Sequence, residues 1–463
     1  MQKNNIRMKN KYIIGLFSIA CILSSCKIGK KYTRPELNLP DKIIATQTDS
    51  LTIADESWWT IYSDTILQNL IKRALEYNKD MLTAASRIKE MAERKKISFS
   101  KLFPELGINI HGERETFNLG KDNAKNDDTF EAKGILSWEL DLWGNLRWSR
   151  VADIAEYLES VEAQRALQMT LVSEVAQTYF ELIALEQELQ IVDQTVEARK
   201  EGVRLAKLRF NGGLTSETAY QQSEVELAKT QTLIPELERD IRLKRNDLAF
   251  LTGDYPHEIE TGKLMQMQQL PLEVPVGLPS TLLQRRPDIR QAEQRLIAAN
   301  ANVGVAFTDM FPRIALTGKF GLESEALSDF LKSPYGFISA DLLSPLFAFG
   351  KNRANWKASK AAYEQEIYQY EKSVLQAFKE VDNSLMNYQK MKDVYKTQYN
   401  LEQAAYSYLR LANLQYINGI ISYIDVLDAQ RAYFSAQTEL NNAIRDELIS
   451  MVQLYKALGG GWQ

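Results

Sequence analysis

Few side chains in this 463-residue sequence are of the types that do covalent or metal chemistry. Histidine occurs only at His111 and His257, so one chain cannot assemble a cluster of imidazoles. His257-Glu258-Ile259-Glu260-Thr261 begins like a zinc-protease motif but has no second histidine to complete it. Ser98-Phe99-Ser100-Lys101 has the Ser-x-x-Lys spacing of an acyl-transfer nucleophile and base, yet no companion motif stands with it. A phosphate-cradling glycine loop and a nucleophile elbow are both missing. Cysteine occurs only at Cys21 and Cys26, which excludes a disulfide framework. The expectation is a protein that is not an enzyme and holds no metal and no dissociable cofactor.

Cys26 is the exception. Lys3, Arg7, Lys9 and Lys11 precede the apolar run Tyr12 to Leu23, and Ser24-Ser25 lead into the cysteine. A basic start, a short apolar stretch and small residues before a cut describe a signal peptide, here residues 1–25. The run is too short to span a bilayer comfortably. Leu23-Ser24-Ser25-Cys26 resembles a bacterial lipobox, whose cysteine becomes the lipidated first residue of the mature chain. Each buried CH₂ contributes about 0.8 kcal/mol, so several acyl chains on one thiol anchor firmly. Lys27 follows, and no aspartate holds the sorting position. An exported lipoprotein is expected, with 26–56 as its lipidated N-terminal segment.

The formal charge of −4, from 56 basic and 60 acidic residues without a basic block, gives no footprint for nucleic acid. After the signal no stretch approaches the uninterrupted apolar length of a spanning helix, so a membrane crossing would require a closed β-barrel.

The elements that must position these residues are written twice. Asn78-Lys79-Asp80 recurs as Arg286-Pro287-Asp288 and Phe103-Pro104 as Phe311-Pro312, at an offset of 208. Downstream the offset is 206: Gly144-Asn145-Leu146-Arg147 matches Gly350-Lys351-Asn352-Arg353, and Phe210, Gly213, Leu214 and Ser216 match Tyr416, Gly419, Ile420 and Ser422. A constant offset means two copies of one unit. The first repeat spans 57–253, an inter-repeat segment 254–276, the second repeat 277–459, and a short tail 460–463.

Within each copy the hydrophobic period changes in the same order. Residues 64–100 have helical spacing, with Ile66, Leu70, Ala74, Leu82 and Ile88 on one side. After Pro104 the period becomes two, which predicts strands near 105–117 and 129–141 around a turn-rich stretch, Asn118 to Asp128. Phe130, Ala132, Gly134, Leu136, Trp138 and Leu140 alternate with polar partners such as Glu131 and Lys133. The second copy predicts strands near 313–323 and 335–345. Segments of about ten alternating residues suit a membrane barrel, though the same pattern also suits a soluble hairpin; the lipoprotein signal favours the membrane.

Helical hairpins follow at 145–251 and 351–458. A heptad register fits Leu171, Val175, Thr178, Leu182, Leu185, Leu189, Val192, Val196, Arg199, Val203, Ala206 and Phe210, a coiled-coil seam of roughly 100 Å of helix. Tyr363, Tyr388, Tyr395, Tyr406 and Tyr408 are expected to pack in the corresponding seam of the second copy. Four strands cannot close a barrel. The smallest bacterial barrels have about eight, and three chains would supply about twelve around a water-filled lumen. The fold expected is mainly α with a membrane β-barrel.

These words resemble the outer membrane factor family, the TolC-like trimeric channel-tunnels, in its lipoprotein branch of tripartite efflux systems (the NodT, OprM and CusC type). The resemblance rests on Ser57-Trp58-Trp59 through Arg87-Ile88, Trp138-Glu139-Leu140-Asp141-Leu142-Trp143-Gly144, and Leu282-Leu283-Gln284-Arg285-Arg286-Pro287-Asp288-Ile289-Arg290. It implies a homotrimer in the outer membrane, with a periplasmic helical tunnel docking onto an adaptor protein and an inner-membrane pump of the RND type. It places Pro235, as an interruption of the first returning helix, and Asp254 to Pro275 near an equatorial belt. Gly213, Leu214 and Ser216, with Gly419, Ile420 and Ser422, resemble the adaptor-docking tips. Asp425-Val426-Leu427-Asp428 matches the gate motif at the tunnel's periplasmic end. Asp425 and Asp428 share a helix face, and three copies would form carboxylate rings that favour cations and raise one another's pKa. Ala219 stands at the first-repeat position of Asp425, and Ile421 stands where some relatives carry a latching arginine. A type I protein secretion duct and a periplasmic coiled-coil scaffold are the competing readings. The lipid anchor favours efflux over the first, and the paired alternating hairpins have no role in the second.

Overall fold

The structure is a computed structural model that describes residues 27–37, 64–120, 125–262, 279–344 and 349–462. The signal segment with Cys26, the Trp58-Trp59 pair and the Gly277-Leu278 opening of the second repeat lie outside the described residues.

Helix α1 spans Thr65–Tyr77 and α2 spans Lys79–Ser100. The apolar period runs through 64–100 without a break, but the backbone turns extended at Asn78 (ψ 131°). There the Asn78 side-chain oxygen accepts from the Asp80 and Met81 amides at 2.9 and 3.1 Å, capping α2.

Strands β1 (Glu105–Phe117), β2 (Lys125–Leu140), β3 (Arg313–Ser324) and β4 (Pro334–Leu343) form one antiparallel sheet in that order. Strand β2 begins earlier than the apolar alternation indicates. Its polar start stays in the ladder because Arg114 grips Asp128 at 2.6 Å and Thr116 donates to Asn126 at 2.9 Å. A 3-10 turn at Leu327–Lys332 joins β3 to β4.

The long helices come in matched pairs. Helices α3 (Asn145–Asn211) and α7 (Lys351–Ile417) are both 67 residues, and α4 (Glu217–Leu251) and α8 (Tyr423–Ala457) are both 35. Between them lie α5 (Pro279–Arg285) and α6 (Pro287–Thr308). Pro235 does not interrupt α4, which runs through it. The position is exposed, so water can satisfy the carbonyl that proline leaves without a donor.

Two compact units emerge, and they are not the two repeats. One contains the described residues up to Leu37 with Arg87–Val161 and Gln291–Glu371; the other contains residues 64–86 with Glu162–Arg290 and the described residues from Lys372 onward. Each repeat gives its strands to the first unit and most of its helical hairpin to the second. In the second, the seam residues Leu171, Val175 and Leu182 of α3 pack with Ile71 of α1, Leu248 of α4 and Met451 of α8 in one core. Of the five tyrosines expected in the other seam, Tyr388 is in that core, whereas Tyr395, Tyr406 and Tyr408 are exposed along α7. In the first unit Trp148 packs with Ala152 and Ala301. The N-terminal segment is tied to this centre: the Trp148 indole donates to the Ile28 carbonyl at 2.7 Å, and the Lys27 ammonium lies 3.3 Å over the Trp148 ring.

Candidate functional site

The strand register sorts the side chains by face. Leu106, Leu136, Gly318 and Ile338 are in line across the four strands, as are Ile108, Gly134, Phe320 and Gly336. This face is apolar from Leu106 to Gly112 and from Phe130 to Leu140, turns polar at the Arg114–Asp128 and Thr116–Asn126 pairs, and exposes Ile108 and Ile338 by 82% and 80%. An aliphatic patch of that extent marks a surface that water does not cover. The opposite face carries His111, Glu131 and Glu323 in one line and Asn109, Lys133, Gly321 and Tyr335 in the next. Lys133 lies between Glu131 at 3.0 Å and Glu323 at 2.8 Å, and its ammonium is 4.1 Å from the Tyr335 ring centre. Leu136 and Ile338 are therefore on one face, with Glu131 and Lys133 on the other, in the phase that the alternation predicts. Among the described residues, β1 and β4 each lack a second neighbouring strand.

At the far ends of the hairpins two turns share one backbone design. Gly213 and Gly419 both have φ +72°, the left-handed conformation that a side chain disfavours. The Leu214 amide donates to Arg209 O and the Ile420 amide to Gln415 O, each at 2.9 Å. Leu214 and Ile420 project into solvent, and Ser216 and Ser422 begin the returning helices.

The side chains beyond the turns differ. In the second tip the Asp425 carboxylate accepts from the Ser422 amide at 2.9 Å and its hydroxyl at 2.7 Å, a capping box. Those Ser422 contacts hold the Asp425 carboxyl below its ordinary range, so within one chain its shift is downward. Asp428 is paired with Arg431 at 2.6 Å. In the first tip Ala219 leaves no such box, and Ser216 makes no side-chain cap bond.

Arg431 continues into a network that heptad spacing does not disclose. Its guanidinium also reaches Glu226 on α4 at 3.0 Å, and Glu226 lies 3.4 Å from Arg199 on α3. Arg199, buried in the seam, donates to the Glu226 carbonyl at 2.7 Å and to the Thr230 hydroxyl. Burial lowers the Arg199 pKa. Burial also opposes ionisation of Glu226, but Arg431, Arg199 and Lys229 outweigh it and leave that carboxyl low. Arg199, Glu226, Arg431 and Asp428 thus alternate in charge across three helices. The signal for it was the one charged residue, Arg199, in a seam whose other positions are apolar but for Thr178.

A profile of the family described as outer membrane efflux protein matches residues 70–254 and 278–460. The cation efflux system protein CusC of Escherichia coli O6:H1 is 30% identical over 96% of this chain and 98% of its own length. The solvent efflux pump outer membrane protein SrpC of Pseudomonas putida is 34% identical, over 87% of this chain and 86% of its own. Among solved structures, the open state of the MtrE outer membrane channel of Neisseria gonorrhoeae superposes with a TM-score of 0.87 at 28% identity, covering 95% of this chain and 99% of that one.

Proposed function

The chain belongs to the outer membrane efflux protein family and is an outer-membrane efflux channel component, and from that premise we propose that three copies close one barrel and act as a passive exit duct. The observation that carries this is the four-stranded sheet with an apolar face and two unpaired edges. Open edges are not tolerated in hydrocarbon, and β1 of one copy can continue the ladder from β4 of the next. Three copies give about twelve strands, enough for a water-filled lumen. The tips at Gly213 to Ser216 and Gly419 to Ser422 present exposed Leu214 and Ile420 to a periplasmic adaptor, which joins the duct to an inner-membrane pump of the RND type. Asp425 and Asp428 line the gate, and Cys26 carries the lipid. Relatives named for cations and for solvents match this chain over most of their own length, which favours a duct whose cargo is chosen by the pump.

The test compares the two faces of the sheet. Arginine near the bilayer midplane on a lipid face costs about 2–4 kcal/mol. Leu136→Arg is expected to deplete membrane-inserted, heat-resistant trimers on gels far more than Ser137→Arg, one residue along and exposed on the opposite face. Equal tolerance, or no trimer from the parent, rules this reading out. Cys26→Ala is expected to abolish fatty-acid labelling while trimers persist; a labelled alanine variant rules out the anchor.

A further inference from the structure

We propose that a groove at the foot of the sheet binds one membrane phospholipid with an anionic headgroup, its acyl chain on an apolar floor and its phosphate against Lys30 and Lys360. This goes beyond export and rests only on the outer-membrane location of the sheet.

The groove has a volume of about 420 Å³, in the range of small-ligand sites and suited to one acyl chain. Val303 and Phe307 of α6 and Trp356 and Tyr363 of α7 supply its apolar wall. Lys30 of the N-terminal segment and Lys360 of α7 supply its charge, and no carboxylate lines it among the described residues. Neither lysine has an ion pair among the described residues. Lys360 lies 3.6 Å over the Trp356 ring, and Lys30 is held in place through its carbonyl, which accepts from the Asn300 amide at 3.4 Å.

The walls also locate the groove. Phe307 is on the last turn of α6, just before β3, and Trp356 is in the second turn of α7, which follows β4. Lys30 is four residues from Cys26. All three walls therefore come from chain close to where the apolar face ends. Aromatic rings and lysines favour this zone because their apolar bodies meet acyl chains while their polar ends meet headgroups. Two unpaired ammonium groups over an apolar floor match a lipid phosphate better than an uncharged solute.

Purified full-length trimers in detergent are mixed with phosphatidylglycerol or phosphatidylcholine brominated along the acyl chain. Quenching is read as the difference between the parent and Trp356→Phe. Brominated phosphatidylglycerol is expected to quench the Trp356 component at lower concentration than the phosphatidylcholine. Lys30→Gln with Lys360→Gln is expected to weaken it about fivefold per lysine, with trimers intact on an unheated gel. If the pair prevents assembly, Lys30→Gln alone, outside the sheet, carries the same test. Equal quenching by both lipids, or none that depends on Trp356, overturns the proposal. So does quenching that emerges only in Cys26→Ala, because the protein's own acyl chain then fills the groove. Loss of trimers from the parent would instead count against the channel reading.

Discussion

The two hairpin tips have one backbone and two chemistries. Glycines at φ +72° and matching turn hydrogen bonds of 2.9 Å give both the same path. At the offset of 206, however, Asp425, Asp428 and Arg431 correspond to Ala219, Gln222 and Val225, while Arg199 and Glu226 correspond to Ala405 and Ala432. Glycine placement sets the turn, and the charges are added to it without altering it. Each tip is therefore incomplete: the second carries Asp428 and Arg431, and the first carries the Arg199–Glu226 pair that receives Arg431. The repeat is a symmetry of shape, and the ion network crosses between its copies.

The largest expected effect comes from breaking that network. Glu226→Leu leaves buried Arg199 without a carboxylate, which costs about 3–5 kcal/mol for a buried pair. Ala432→Leu at the equivalent, exposed site should stay within about 0.5 kcal/mol. Denaturant unfolding at fixed protein concentration measures both. Arg199→Leu combined with Glu226→Leu should recover much of the loss, since an apolar pair replaces a charged one. Equal effects at 226 and 432 would show that the asymmetry has no energetic content.

The shared backbone predicts equality instead. Gly213→Ala and Gly419→Ala each force a side chain into the left-handed region and should each cost about 1–2 kcal/mol in the same assay. A clear difference between them would mean that the surrounding charges, and not the glycine, hold one of the turns.

A smaller effect separates the helix caps. Ser422→Ala removes a formed cap and should cost about 1 kcal/mol, whereas Ser216→Ala removes none and should be near neutral. The Asp425 carboxyl is held low, so its contribution is present above the usual carboxylate range and is lost as pH falls through its lowered value. Amide exchange at the start of α8 should therefore accelerate in acid, while the start of α4 shows no matching rise from position 219. Equal acceleration in both helices would remove the capping box from the account.

How far these features could be read beforehand depends on their range. The strands, their phase and the α3 seam follow local periods of two and three-to-four, and Leu136, Ile338, Val175 and Leu182 lie where those periods put them. Asn78 was hidden because apolar spacing continues through it, whereas the break depends on one side-chain oxygen turning back to the backbone. Tyr395, Tyr406 and Tyr408 keep helical spacing, but spacing does not say how much of α7 a neighbour covers. The ion network was least legible. Its members are distant in sequence, and heptad counting treats Arg199 as one tolerated polar position.

The gate is where the two tips should differ in function, and the network changes what to expect of it. Asp425 and Asp428 lie one turn apart on α8, but Asp428 faces the Arg431 guanidinium, which it shares with Glu226, while the Ser422 contacts favour the charged form of Asp425. Were three copies to bring these positions to one axis, Asp425 would be the stronger ring, and cations drawn to it would obstruct flow. Single-channel conductance in planar bilayers should show weaker block by divalent or larger multivalent cations, and lower cation preference, when both aspartates are alanine. Asp425→Ala alone should give most of that change. Arg431→Leu should strengthen block by releasing Asp428, whereas Val225→Leu at the equivalent first-tip site should leave it unaltered. A double alanine variant with the parent's block and selectivity would remove both carboxylates from the constriction and leave them as a cap and a surface ion pair.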